Sequence, residues 1–207
     1  DYDRLLDQLN SSNPTLVFNA LHGGDGENGT IQKFLDINKF NYTGSDEAAS
    51  RIAMDKHQSK IICKNHEIPT PNWDYFDLSK DKITTNTIRK IMNDYKNTGC
   101  VVKPSVEGSS IGMTIINKEV LDSKTILNAI NDCMQFSERI IVEKFIKGRE
   151  ITCGILDDEA LPLVEIVPNH DFYDYKCKYT KGMSEYISPP DIAKEVSDTI
   201  KKYSKEI

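Results

Sequence analysis

A lysine at the end of an apolar run is followed by a loop of small residues that could hold a phosphate. Lys103 follows the run Cys100-Val101-Val102, and residues 104–112 are Pro-Ser-Val-Glu-Gly-Ser-Ser-Ile-Gly. Backbone N–H groups and the hydroxyls of Ser109 and Ser110 could cradle an anion, and the lysine adds a point charge. The GxxxxGK[ST] pattern of a Walker A loop is absent. The segment therefore indicates either a polyphosphate site or a solvated hairpin turn.

A glycine-rich turn near the N-terminus lies between a predicted strand and a predicted helix. Residues 24–29 match the GxGxxG fingerprint of dinucleotide-binding folds, with Asp46 about 20 residues further on. The two acidic side chains inside the turn oppose binding of a pyrophosphate, so a plain turn is favoured over a nicotinamide site. His22 and Glu27 still indicate an edge that faces a ligand, because loops at the carboxyl ends of strands line crevices.

Two further segments combine charged residues with apolar or aromatic ones. Residues 141–150 place charged side chains between two apolar runs, where a carboxylate could bind an amine or ribose hydroxyls; a solvated connection is the alternative. Residues 172–179 carry three tyrosines and two lysines, which favours a lid over an anionic intermediate. Basic and aromatic clusters also bind nucleic acid, but a net charge of −6 argues against that partner.

Length and composition exclude several protein classes. The 207 residues allow one or two domains with a buried core. The five cysteines are odd in number and form no CxxC pair, so we expect reduced thiols in a cytoplasmic protein. Neither a run of 18 apolar residues nor an apolar leader occurs, so we expect no membrane span and no signal peptide.

Both ends of the sequence predict a chain that has been trimmed. It begins with Asp1 rather than Met, and it stops at Ile207 inside a helical pattern of apolar residues that starts at Ala193. No Gly or Pro stop signal occurs at this end. We therefore expect an incomplete chain.

Hydrophobic periodicity predicts the elements that must position these groups. Residues 15–21 are predicted to form a buried strand, and helices are predicted from Thr30 and over residues 47–65. Two prolines within residues 68–71 predict an extended linker at a domain boundary.

Beyond this linker, strands and helices mix, which predicts an α/β or α+β fold. We expect a long loop over residues 169–190, and long loops are commonly functional. The predicted helices cover residues 87–95 and 121–134, and the predicted strands cover residues 100–103, 113–116, 140–142, 151–156 and 161–167.

A set of motifs, agreeing in order and spacing over most of the chain, carries a family resemblance. They are Leu21-His22-Gly23, residues 26–32, Tyr42-Thr43-Gly44-Ser45, residues 53–56 with Lys60, Val102-Lys103-Pro104 with residues 107–112, residues 142–146 with 148–150, and residues 172–175 with Lys178-Tyr179. Together they resemble the D-alanine–D-alanine ligase family of the ATP-grasp superfamily. The resemblance implies an ATP-grasp fold preceded by part of a Rossmann-like N-terminal domain. The expected parts are a partial N-terminal domain over residues 1–67, a small subdomain over 68–143 and a truncated large subdomain over 144–207.

The resemblance implies a set of nucleotide-binding residues. Lys56 and Lys103 correspond to the two lysines that hold ATP phosphates, and Ser109 and Ser110 lie in the loop that closes over them. Glu150 corresponds to the carboxylate that binds the ribose. The adenine-binding linker corresponds to Glu143, Lys144 and Ile146.

The resemblance also implies residues for substrate binding and catalysis. His22 and Glu27 correspond to the edge near the first D-alanine. Ser109 corresponds to a serine that helps to orient the binding partner of that substrate. Lys178 and Tyr179 correspond to the mobile loop that covers the acyl phosphate, and Tyr179 argues against D-lactate as second substrate.

The activity implied by the resemblance is ATP-dependent synthesis of D-alanyl-D-alanine through an acyl phosphate, for peptidoglycan precursors. The cofactors implied are ATP with Mg²⁺ or Mn²⁺, whose ligands are expected beyond Ile207. The chain alone is therefore expected to be inactive. The full-length enzyme is expected to be a cytoplasmic homodimer with a small-molecule substrate and without nucleic-acid or membrane partners.

Two alternatives to this activity stay open. One is a truncated module that binds nucleotide or substrate without catalysis. The other is a different ATP-grasp ligase that joins another acid to another amine.

Overall fold

The computed structural model describes residues 1–168 and 182–207, in two units that span Asp1–Lys56 and His57–Ile207. Helices mix with antiparallel sheets in the described residues, so the predicted mixed fold class is confirmed. None of the described helices has both the length and the apolar character needed to cross a bilayer.

The first unit is mainly helical. It contains α1 (Tyr2–Ser12), α2 (Thr30–Ile37) and α3 (Glu47–Met54). Periodicity did not predict α1, which begins where the Asp1 side chain accepts hydrogen bonds from the backbone N–H groups of Asp3 and Arg4.

The long helix expected over residues 47–65 is wrong in one respect, because two helices occupy it. These are α3 and α4 (Lys56–Asn65), and Asp55 between them has an extended backbone with φ −83° and ψ 99°. Asp46 caps α3 by accepting a hydrogen bond from the backbone N–H of Ala49 at 2.8 Å.

The buried strand expected over residues 15–21 is not formed. Val17 makes a single parallel bridge to Tyr42, while Leu16, Phe18 and Leu21 are exposed. A strand is buried only where other strands and a second layer cover it, and the described residues supply just this one bridge.

The second unit contains a four-stranded antiparallel sheet with the order β1-β4-β2-β3. Helices α5 (Thr85–Tyr95) and α6 (Ser123–Met134) pack on one of its faces. The strands are β1 (Trp73–Asp77), β2 (Cys100–Pro104), β3 (Thr114–Ile116) and β4 (Arg139–Lys144).

The alternation of side chains gives this sheet two chemically different faces. Toward α5 and α6 it presents a largely apolar core that includes Val102, Ile140 and Val142. We call the opposite face the site face. It is defined by Trp73, Tyr75, Val101, Lys103, Ile141 and Glu143, which the strand register places opposite one another in pairs.

A second sheet, with the order β5-β8-β9, follows the linker after β4. Strand β9 falls inside the loop expected over residues 169–190, so that expectation is wrong for its last part. The segment is short and largely exposed, so its sequence does not predict a strand. Its antiparallel pairing with β8 makes it one. The elements are β5 (Glu150–Thr152), β6 (Ile155–Leu156), β7 (Glu159–Ala160), β8 (Val164–Pro168), β9 (Ser184–Ile187) and α7 (Lys194–Glu206).

A bidentate ion pair connects the residue before β5 to the central strand β8 of this second sheet. Arg149 Nε donates to Glu165 Oε1 at 2.6 Å, and Arg149 Nη2 donates to Glu165 Oε2 at 2.5 Å. Arg149 Nη1 also donates to the carbonyl of Asp191 at 2.7 Å. Hydrogen bonding from Arg149 lowers the pKa of Glu165, whose side chain is buried.

This pair predicts an acid-labile contribution to stability. A carboxyl group with a lowered pKa in the folded state stabilises the protein above its unfolded pKa, and that stabilisation is lost as the pH falls through the folded pKa. We expect Glu165→Gln to be less stable than wild type at pH 7, with the difference shrinking below about pH 4. Urea unfolding at both pH values measures this difference. Glu185→Gln, on exposed β9 of the same sheet, is the matched control, and a Glu165→Gln deficit that is constant with pH would contradict the prediction.

Candidate nucleotide site

Lys103 and Glu143 lie together on the site face. Lys103 is near the end of β2, and the Lys103 ammonium donates a hydrogen bond to Glu143 Oε1 on the neighbouring strand β4. The Glu143 side chain is 9% exposed and that of Lys103 is 19% exposed. The Lys103 ammonium is thus paired with a buried carboxylate, while part of the lysine side chain remains accessible to solvent.

Lys60 holds the other carboxylate oxygen of Glu143. It lies on α4, and its Nζ is 2.9 Å from Glu143 Oε2. The same ammonium donates to Thr70 Oγ1 at 2.8 Å and to the carbonyl of Pro71 at 2.9 Å. It also lies 5.1 Å from the centre of the Trp73 ring, within range of a cation–π interaction. Two hydrogen bonds and one ion pair therefore hold this ammonium, and Glu143 Oε2 itself accepts no hydrogen bond within the described residues.

His57 fixes α4 to the site face. Its ring stacks on Tyr75 with centroids 4.0 Å apart, and its Nδ1 accepts a hydrogen bond from Trp73 Nε1 at 3.0 Å. Its backbone N–H donates to Ser105 Oγ at 3.3 Å. His57 and Lys60 are three residues apart on α4, so they share the helix face that meets the sheet. Sequence reasoning gave neither residue a role, although Lys60 belongs to one of the motifs that carry the family resemblance.

The Gly/Ser loop is the hairpin connection between β2 and β3. The strand pairs Cys100–Ile116 and Val102–Thr114 close it at its base. Ser109 and Ser110 have φ values of 50° and 60°, a left-handed backbone that serine adopts rarely. Such conformations cluster at functional sites. The segment is therefore a hairpin connection, as one of the two alternatives predicted. The strained backbone of the two serines also favours a binding role.

An open cleft of about 490 Å³ lies beside the linker that follows β4. It is lined by the segment from Pro69 to Asn72 together with Lys144 and Ile146. The backbone N–H of Lys144 donates to the carbonyl of Asn72 at 2.9 Å, which fixes the linker against this segment. Ile146 is 56% exposed, and its backbone N–H makes no hydrogen bond within the described residues. The cleft thus offers apolar surface beside a backbone donor.

Thr70 and Pro71 join this cleft to the charged residues. Both line the cleft, and both accept a hydrogen bond from the Lys60 ammonium. A ligand with a planar apolar group in the cleft and an anionic group at Lys103 would therefore contact residues that are linked to one another through Lys60 and Glu143. That combination suits a nucleotide.

Of four further predicted site residues, two begin an element and two lie outside the described residues. Glu150 begins β5, is exposed and pairs in register with Ile166. Lys56 is the first residue of α4 and the last residue of the first unit. Lys178 and Tyr179 lie outside the described residues.

His22 and Glu27 belong to the glycine-rich turn of the first unit, and both are exposed. The turn is a short 3₁₀ segment, Gly24–Gly26, and the carbonyl of Gly26 accepts hydrogen bonds from Asn19 Nδ2 and Gln32 Nε2, each at 3.1 Å. These two contacts hold the turn and leave the side chains of His22 and Glu27 at its surface.

Comparison with known proteins identifies the family. A family profile described as D-ala D-ala ligase C-terminus matches residues 62–207. The D-alanine–D-alanine ligase of Aquifex aeolicus is 42% identical over 195 residues, covering 93% of this chain and 62% of the relative. That of Carboxydothermus hydrogenoformans is 38% identical over 100% of this chain and 66% of the relative. The chain thus spans about three fifths to two thirds of the length of these curated relatives.

Solved structures agree with the sequence relatives. A Bacillus anthracis D-alanine–D-alanine ligase superposes with a TM-score of 0.80 at 29% identity, over 99% of this chain and 63% of the other. The same enzyme complexed with ATP superposes with a TM-score of 0.77 at 25% identity, over 99% and 62%. With the profile match over more than half of its length, the chain belongs to the D-alanine–D-alanine ligase family.

Proposed function

We propose that the protein is an ATP-dependent ligase that joins two D-alanine molecules into D-alanyl-D-alanine for peptidoglycan synthesis. The observation that carries this proposal is the Lys103–Glu143–Lys60 cluster on the site face, beside the Gly/Ser loop and the linker cleft. Family membership and the names of the relatives support it.

The site fits ATP in two places. The cleft walls of proline and isoleucine suit the adenine ring, and the Ile146 N–H suits an adenine nitrogen. Lys103 suits the phosphates, because its side chain is partly exposed and its ammonium is paired with a buried carboxylate. We further propose that Lys56 is the second phosphate-binding lysine and that Glu150 binds the ribose hydroxyls.

In the proposed reaction, residues of this chain orient the reacting groups and neutralise the charge of the phosphates. ATP supplies the phosphoryl group that activates the first carboxylate for attack by the amine of the second D-alanine. Lys103 and the loop of Ser109 and Ser110 offset the negative charge of the phosphates, which is the main demand of phosphoryl transfer. Lys178 and Tyr179 are proposed to exclude water, and His22 and Glu27 to border the first D-alanine.

We propose that the nucleotide is used with Mg²⁺ or Mn²⁺. In the described residues, no three His, Cys, Asp or Glu side chains come together as a metal site. The described residues therefore do not fit the ion as a metal site. A cytoplasmic location and a homodimer are proposed with the activity, and the division at residues 67 and 143 is proposed as the subdomain organisation.

The activity is tested by coupled ADP release from the full-length protein. We expect release to depend on D-alanine and to be weaker when D-serine or D-lactate replaces the second substrate. Release with a different acid and amine would favour another ATP-grasp ligase. ATP binding without turnover of any amino acid would favour the binding module.

A further inference from the structure

Lys103 has two competing tasks if it binds ATP phosphates. Its ammonium is bonded to Glu143 Oε1, and it must turn at least partly toward the phosphates. A buried carboxylate that loses its only cation is costly, because its desolvation is no longer compensated. A lysine paired to such a carboxylate alone would therefore be held there.

Lys60 removes this conflict. Its ammonium donates hydrogen bonds to Thr70 Oγ1 and the carbonyl of Pro71 and forms an ion pair with Glu143 Oε2, so protein groups alone fix its position. Its side chain is 9% exposed, half as much as that of Lys103. Two lysines and one glutamate also leave one net positive charge at the site.

We propose that Lys60 is a positioning residue that acts through Glu143. It is the permanent counter-ion of Glu143, and it allows the ammonium of Lys103 to exchange from the carboxylate to a phosphate. This inference rests on the proposed function, because it assigns the phosphates to Lys103. Without Lys60, Lys103 would be confined to Glu143 and the net charge of the cluster would fall to zero.

The test measures how fast the Lys103 amine is acetylated by acetic anhydride in the nucleotide-free, full-length protein, using mass spectrometry. We expect Lys60→Met to slow acetylation of Lys103 by about threefold or more, because a tighter ion pair withholds the amine. Lys60→Met/Glu143→Gln is expected to restore the rate to the wild-type value or above. Lys90, which is paired with Asp74 and Asp94, is the internal control and should not change.

A merely structural role for Lys60 gives the opposite result. Loosened packing in Lys60→Met would expose Lys103 and speed its acetylation, and that outcome would overturn the proposal. If Lys60→Met does not fold, Glu143→Gln decides, because Lys60 keeps its bonds to Thr70 and Pro71 there. We expect faster acetylation of Lys103 in that variant, and an unchanged or slower rate would overturn the proposal.

ATP binding separates this inference from the proposed function. If the wild-type protein binds no ATP, the proposed function fails whatever the acetylation rates show. If wild type binds ATP and Lys60→Met binds it equally tightly, the positioning role of Lys60 is refuted while the proposed function stands. We expect the affinity of Lys60→Met to be about tenfold lower, with recovery toward wild type in the double variant.

Discussion

Lys103→Met is expected to lower the affinity for ATP by about 100-fold, corresponding to the loss of one strong charge-assisted contact to a phosphate. Lys103 is the partly exposed cation of the site face, and methionine keeps the length of the side chain without its charge. Calorimetric titration with ATP measures the change. The fold is expected to survive, because Glu143 keeps Lys60 as its counter-ion.

The matched control is Lys124→Met, which removes an exposed lysine from α6 on the other side of the sheet. It should leave ATP affinity within about twofold of wild type, since a distant exposed charge is screened by salt. An equal loss in both variants would mean that Lys103 acts only through net charge. An unchanged affinity in Lys103→Met would remove it from the site.

Gly99→Ala is expected to destabilise the second unit by about 3 kcal/mol or more. Gly99 has φ +74°, and its N–H donates to the carbonyl of Tyr95 at 2.8 Å where α5 ends. An added Cβ would lie 2.3 Å from the carbonyl oxygen of Ile116 and 3.0 Å from the N–H nitrogen of Lys118. Both are backbone atoms that cannot rotate away, so β2 and β3 would have to separate.

This substitution also affects the site, because the carbonyl of Gly99 accepts the backbone N–H of Phe145 in the linker after β4. Urea unfolding monitored by circular dichroism measures the loss of stability. Gly148→Ala is the control, because its added Cβ would meet nothing within 4 Å and its φ is not positive. A cost below about 1 kcal/mol for Gly99→Ala would show that the strands can move apart.

The helices and strands of the second unit were largely predictable from sequence. The apolar run at residues 100–102 and the helical spacing over 121–134 agree with β2 and α6 because each signal is local and is reinforced by burial. The run at residues 15–21 has equally apolar residues but lacks such neighbours, and it forms only one bridge. Periodicity therefore predicts burial only where the rest of the fold provides it.

The chemistry of the site was predictable only in part. Lys103 was signalled by its place between a strand and a Gly/Ser loop, which are adjacent in sequence. The link between Lys60 and Glu143 joins residues from a helix and a strand far apart in the chain, so no local pattern reveals it. The extended backbone at Asp55 was missed for a related reason, since no Gly or Pro marks it.

The central claim is that the phosphates of ATP bind at Lys103 on the site face. Acetylation of Lys103 in the full-length protein, with and without saturating ATP, tests it most directly. We expect ATP to slow the acetylation of Lys103 by about tenfold and to leave Lys124 unchanged, because a phosphate-bound ammonium is withheld from the reagent. Equal acetylation of Lys103 with and without ATP, in a protein that demonstrably binds the nucleotide, would contradict the claim.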